Sequence, residues 1–176
     1  MLSFASRPTV TALLKTAADE IEPAVSPDGR WLAYTSAEDP PATGSRASHG
    51  SPDVYVRPFP NVDDGRWRIS TDRGISPLWS PDAKELFFIS RGRAVSVPVE
   101  TAPTFRPGTP RTMFELPPFY SSAVIRLRRQ WDLAPDGKRF LIINPADVAA
   151  PGEPSQAGMV VVVNWFEELR RLVPTK

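Results

Sequence analysis

The sequence predicts an all-β chain of short antiparallel strands arranged in repeated blades, and three observations predict it. A turn motif recurs three times at equal spacing, an apolar run too short for a helix follows each copy, and prolines outnumber glycines 21 to 10. Proline fixes φ and removes a backbone donor, so a chain this rich in it breaks into short elements. Long helices do not fit that composition; turn-linked strands do.

The repeat aligns without gaps over Ser26-Pro27-Asp28-Gly29-Arg30-Trp31-Leu32-Ala33-Tyr34-Thr35-Ser36, Ser80-Pro81-Asp82-Ala83-Lys84-Glu85-Leu86-Phe87-Phe88-Ile89-Ser90, and Ala134-Pro135-Asp136-Gly137-Lys138-Arg139-Phe140-Leu141-Ile142-Ile143-Asn144. Successive copies start 54 residues apart. Pro-Asp-Gly is turn chemistry: proline presets φ, aspartate bonds nearby backbone N–H groups, and glycine accepts φ > 0. The following run is apolar on consecutive residues, as in Leu86-Phe87-Phe88-Ile89. A strand with one wet face alternates, whereas one covered on both faces need not. Neighbouring blades of a β-propeller supply that double cover. The expectation is a partial β-propeller of about three four-stranded antiparallel blades with a short C-terminal helix.

Each blade can be filled in around its core. The innermost strand is Pro23-Ala24-Val25, Pro77-Leu78-Trp79 or Trp131-Asp132-Leu133. A third strand is expected at Val54 to Pro58, Ala94 to Pro98 and Met159 to Val163, ending or bulging at the two prolines. Outer strands follow at Arg66 to Ser70 and Arg111 to Glu115. Thr11 to Thr16 reads as the outer strand of a preceding blade, within a segment 1–20 that also serves as linker. The blades then span 21–74, 75–128 and 129–163. In place of a last outer strand, 164–176 holds a short helix and tail. Asn164 caps it, Glu167 completes a capping box, and Trp165, Leu169 and Leu172 share the face that docks on the blade. The polar insert 37–52 reads as a mobile loop.

The core Ser-Pro-Asp-Gly-Arg-Trp-Leu-Ala-Tyr-Thr-Ser resembles the TolB-like, WD40-like β-propeller repeat. More narrowly, Pro23 through Asp53-Val54-Tyr55-Val56-Arg57-Pro58-Phe59-Pro60 and the ending from Asn164 to Pro174 resemble the C-terminal propellers of certain bacterial serine/threonine protein kinases. The resemblance covers the chain from about Leu13 onward. It implies a six-bladed ring acting as a sensor or interaction domain on the extracytoplasmic side. The chain departs from that pattern by holding about three blades and no kinase motif: no Gly-rich phosphate loop, no His-Arg-Asp loop, no Asp-Phe-Gly. Kinase activity is therefore carried over to no residue.

The residues offer no catalytic, cofactor-binding or metal site. The net charge of +1 provides no field to steer nucleic acid or anionic membranes, and no stretch is long and apolar enough to span a bilayer. Cysteine is absent, which removes disulfides and thiolate metal sites. His49, the single histidine, sits in a Gly/Ser-rich stretch without a Gly-x-Ser-x-Gly elbow, and reads as a solvated loop residue. Asp63-Asp64-Gly65 lacks the alternating oxygen ligands of a calcium loop and reads as a hairpin turn. Asp28, Asp82 and Asp136 each belong to their own blade's turn. Arg126, Arg128 and Arg129, with Lys138 and Arg139, make a basic patch without interleaved stacking aromatics. The tryptophans at 31, 67, 79, 131 and 165 fit packing between blades.

The function expected is a non-enzymatic sensor or interaction module, the C-terminal part of a larger propeller, with a protein or small-ligand partner on its loops. A piece of a propeller-bearing kinase and an accessory propeller of a prolyl-oligopeptidase-type peptidase are the competing readings. Propellers close with roughly four to eight blades. Three should leave the outer faces of the first and last blades open to self-association. A ring of two copies, each giving Thr11 to Thr16 to the other's last blade, is one form of it.

Overall fold

The computed structural model describes residues 2–3, 9–10, 12–16, 18–37, 52–117, 120, 130–144 and 158–163. Strands β1 (Leu2–Ser3) and β2 (Thr9–Val10) pair with each other. Then come β3 (Glu20–Val25), β4 (Trp31–Ser36), β5 (Asp53–Pro58) and β6 (Trp67–Arg68), four neighbours in one antiparallel sheet. The second blade holds β7 (Ile75–Trp79), β8 (Glu85–Ser90) and β9 (Arg93–Glu100). Its outer position is shared by β10 (Arg106–Pro107) and β11 (Arg111–Glu115), both paired with β9. The third blade is β12 (Trp131–Leu133), β13 (Arg139–Asn144) and β14 (Gly158–Val163), in that order. The fold is all-β, a partial propeller of antiparallel blades.

The consecutive apolar runs are buried on both faces, as the repeat requires. All of β4 is buried, and Leu86 to Ile89 are at most 2% exposed. Parity then decides which blade each side chain meets. Trp31, Ala33, Val54 and Val56 pack with Trp79, Leu86 and Phe88 in the cluster that joins blades one and two. Leu78, Phe87 and Ile89 pack with Trp131, Phe140 and Ile142 in the cluster that joins blades two and three. Burying each such side chain contributes roughly 1.5–3 kcal/mol, so these two seams dominate the stability of the stack.

The turns behave as their chemistry dictates. Gly29 and Gly137 take φ of 70° and 68°, and Ala83 takes 56° at the equivalent place. An alanine held there costs about 1–2 kcal/mol relative to ordinary backbone, which its burial at 6% exposed offsets in part. Ser26 and Ser80 begin the first two turns. Ser26 Oγ donates to Asp28 Oδ1 and accepts from the Trp31 N–H, and Ser80 Oγ makes the matching bonds to Asp82 and from Glu85. Asp28→Ala is expected to lower stability by about 1 kcal/mol, the worth of such local bonds, and to leave partner binding by the folded protein intact. Chemical denaturation read beside a binding isotherm checks it: binding lost without a stability change would give that carboxylate a functional role.

Several sequence expectations need correction. Residues 12–16 form no strand. Leu13 and Leu14 instead pack against Leu32, Tyr34, Tyr55 and Val62, because covering an apolar sheet face buries more surface than extending a sheet edge. The outward face of blade one is thus largely covered by the chain's own N-terminal segment. Pro98 does not end its strand: β9 runs to Glu100, and the Val99 N–H donates to the Lys84 carbonyl just beyond the proline. The outer strand expected at Arg66 to Ser70 shortens to Trp67–Arg68, although Ile69 N–H still donates to the Val54 carbonyl. The turn around Asp63 holds a short 3-10 helix, Val62–Asp64, inside the connection from β5 to β6. The helix expected at 164–172 and the loop at 38–51 lie outside the described residues.

Candidate functional site

Antiparallel topology sorts the blades' features onto two ends. The Pro-Asp turns join the last residues of β3 and β7, and of β12, to the strands that follow, so all three lie at one end. Each turn's carboxylate is satisfied locally: Asp28 pairs with Arg30 at 3.1 Å, and Asp136 with Arg139 at 3.0 Å. Burial pushes the Asp28 carboxyl up, but bonds from Ser26 and Arg30 outweigh it and hold the group below the usual aspartate value. The Ser80 hydroxyl does most to lower Asp82, and the Lys138 N–H does so for Asp136. Such groups support ordered turns, not proton transfer. At the same end Glu85 is opposite in kind. Burial raises its carboxyl above the ordinary 4.5, against a bond to Ser96, and its Oε2 has no hydrogen-bond partner.

Glu85 has a testable sign. A carboxyl raised in the folded state binds its proton more readily there than in the unfolded chain, so its ionised form opposes folding above pH 4.5. Glu85→Gln is expected to raise Tm by about 2–4 °C near neutral pH. The gain should shrink as the pH falls through the raised value and the native carboxyl protonates. Melting curves across that range check it; a gain that grows on acidification contradicts the burial account.

The opposite end is where the strands are irregular. β3 and β7 each carry one extra residue against their partners, between Ile21 and Ala24 and between Ile75 and Leu78. The bulged residues Glu22 and Ser76 both take φ of 55°, a sparsely populated value for a side-chain-bearing residue. They stand 54 residues apart, so they occupy the same place in successive blades. They also hold each other. Ser76 donates its N–H to Glu22 Oε2 at 2.8 Å and its Oγ to Oε1 at 2.6 Å, while Thr35 Oγ1 donates to Oε2 at 3.1 Å. Backbone strain of this kind concentrates where structure serves recognition.

Other polar groups gather at this end. Asp53, 3% exposed, accepts from Ser70 Oγ and pairs with Arg68 at 2.7 Å. Ser36 Oγ, on the residue paired with Asp53, is buried without a partner. Asp72 pairs with Arg91, whose guanidinium holds the carboxyl below its usual range. A cleft of about 240 Å³ opens beside this pair, lined among others by Thr71, Ser90, Arg93 and Thr112. Tyr120 anchors the start of blade three, its hydroxyl 2.6 Å from the Gln130 carbonyl and 2.9 Å from that of Ile143. Burial pushes that phenol up to about 12, so it stays a donor at any ordinary pH.

The connections 37–52, 117–130 and 145–157 also leave from this end, since each joins strand termini located there. They carry His49 and Arg126, Arg128 and Arg129, which lie outside the described residues. Lys138 and Arg139, the described members of the basic patch drawn from sequence, are at the other end. Four of the five tryptophans are described. Trp31, Trp79 and Trp131 are core residues of the inter-blade seams, with Trp67 half-buried against the first seam. Among the described residues no group of His, Asp and Glu side chains is arranged to hold a metal ion. The sequence reading missed Glu22, Thr35, Ser76 and Gln130. Their signal was present, because residues 22, 76 and 130 share one register of the repeat, upstream of the motif that drew attention.

No protein-family model matches the chain. Over 79 residues, 44% of this chain, it is 34% identical to the Tol-Pal system protein TolB of Alcanivorax borkumensis (strain ATCC 700651 / DSM 11573 / NCIMB 13689 / SK2). The blades are TolB-like. The matched segment spans 16% of that TolB's length. Among solved structures, TolB from Acinetobacter baumannii aligns over 91% of this chain and 36% of its own, at 18% identity and a TM-score of 0.49. The chain therefore spans about a third of that solved TolB chain.

Proposed function

We propose that the chain is a non-enzymatic propeller module that binds a protein partner through the bulged end of its TolB-like blades, as the C-terminal part of a larger propeller. The observation that carries this reading is the repeated strained bulge at Glu22 and Ser76, at the end that holds the strand termini flanking 37–52, 117–130 and 145–157. A rigid stack that presents variable connections from one end is a common scaffold for recognition. The relative is by name a component of a Tol-Pal system, which supports a protein partner.

The test is amide exchange on a complex formed with a partner captured by cross-linking. Protection is expected at residues 71–74, 90–93 and 130–132; protection confined to the turns at 27–30, 81–84 and 135–138 would overturn the reading. A sensor domain of a serine/threonine protein kinase polypeptide is the second reading, favoured by the stretch from Asp53 to Pro60. Kinase motifs encoded upstream of Met1 would select it, and hydrolase motifs there would select an accessory propeller of a peptidase.

A further inference from the structure

The two seams between blades share one kind of bond at their innermost strands. Trp79 donates its indole N–H to the Ala24 carbonyl at 3.0 Å, and Trp131 donates its own to the Ser76 carbonyl at 2.9 Å. The first seam has a second fastening, made by the connection from β6 to β7. There the Asp72 carboxylate accepts the Arg91 guanidinium as a fork, Nε at 2.5 Å and Nη2 at 2.7 Å. The Asp72 carbonyl accepts from Ser90 Oγ, also at 2.7 Å. Arg91 and Gly92 turn the β8–β9 hairpin with φ of 47° and 75°, so the ion pair also holds a strained turn in place.

The cleft of about 240 Å³ opens beside this fastening, and its lining comes wholly from the connection and from blade two. Phe88 and Val95, members of the first seam's buried cluster, form its floor. Both blades of that seam belong to this chain, so a further blade of a larger ring would not cover the cleft. Its polar groups are unequally engaged. Asp72 has both carboxylate oxygens on Arg91, and Ser90 has its proton on the connection. Arg93 is different: its Nε stands 4.0 Å from Glu115 Oε1, the outer limit of an ion pair, and the two side chains are 57% and 84% exposed. A guanidinium only donates, and so long a contact leaves nearly all its donors available. Thr71 and Thr112 add two hydroxyls without a partner among the described residues. With Arg91 balanced by Asp72, the cleft presents one loosely held positive charge and two hydroxyls above an apolar floor.

We propose that this cleft takes an acidic side chain of the protein partner, its carboxylate on Arg93 and the two threonine hydroxyls and its methylene stem over Phe88 and Val95. A planar guanidinium matches a carboxylate with two parallel hydrogen bonds. A basic side chain finds no answering charge, because the one carboxylate in the lining is already paired. A bare inorganic anion would leave the apolar floor unused. Glu115 then acts as a weak internal competitor, holding Arg93 until a better-placed carboxylate arrives. The inference rests on the bulged-end reading and supplies the chemistry of the partner there.

The experiment titrates the intact chain with the α-amide of N-acetyl-glutamic acid at low salt and follows backbone amide and arginine Nε–H shifts by NMR. The α-amide of N-acetyl-glutamine is the uncharged control. Saturable shifts at Asp72, Ser90, Arg91 and Arg93 are expected, with a Kd on the order of 10 mM for so small a probe. Added salt should weaken them. Arg93→Gln should weaken the probe about fivefold and Arg93→Lys less, since lysine keeps the charge and loses the fork. Glu115→Gln removes the competitor and should tighten the probe about twofold. Both side chains are exposed, so the fold tolerates these changes. Equal binding of the glutamine analogue, an unchanged Kd in Arg93→Gln, or shifts that map elsewhere would overturn the proposal. So would inorganic phosphate binding more tightly than the glutamate probe at the same residues. The probe needs no partner, so its failure leaves the bulged-end reading to its own exchange experiment.

Discussion

Trp131→Ala is expected to lower the unfolding free energy by about 3–5 kcal/mol. The indole is 2% exposed and stacks on Phe140 with ring centroids 5.4 Å apart and planes 12° from parallel. Truncation opens a cavity between blades two and three and removes the donor to the Ser76 carbonyl. Trp131→Phe separates the two contributions. It keeps an aromatic ring and loses the N–H, so about 1–2 kcal/mol should remain lost. Guanidinium denaturation measures both. A loss under about 1 kcal/mol for the alanine variant would mean that blade three is not packed on blade two as described.

Glu22→Ala should be nearly as damaging for its size, at about 2 kcal/mol. Ser76 is fully buried and gives both its N–H and its hydroxyl to the Glu22 carboxylate. Thr35 Oγ1, 3.2 Å from the Ser76 nitrogen, can take over only one of these bonds. Glu22→Gln keeps an amide oxygen at the site and is expected to cost less than half as much. Glu22→Gly isolates the backbone term, because glycine occupies a φ of 55° without the side-chain penalty. It should be about 1 kcal/mol less harmful than alanine. Thermal melts of the three variants check the order Gln, Gly, Ala from mildest to worst. An alanine variant as stable as the parent would remove the junction from the account of how blades one and two are joined.

The architecture was legible because it repeats. Pro27-Asp28-Gly29 and its copies announce turns by chemistry local to a few residues, and the apolar runs after them announce burial on both faces. What the pattern could not settle depends on competition between distant segments. Leu13 and Leu14 look like part of a strand on their own, but the open face beside Tyr34 and Tyr55 holds them instead. Pro98 is a strand breaker in isolation, yet β9 is paired on either side of it and continues. The candidate site was least legible. Glu22 carries no motif, and its partners Thr35 and Ser76 are 13 and 54 residues away. Only the tertiary seam brings them together.

The acceptors of the tryptophan seams are backbone carbonyls, of Ala24 and Ser76, which every residue possesses. A donor that reads only the main chain places no demand on its neighbour's sequence. A copy of blade two or blade three placed beside another blade would find its polar anchor ready, without a matching mutation in the blade it meets. Apolar fit alone would need later adjustment, and large and small side chains can drift toward that gradually. The length of such a stack can therefore change by whole blades over evolution, while the rule that joins one blade to the next stays fixed.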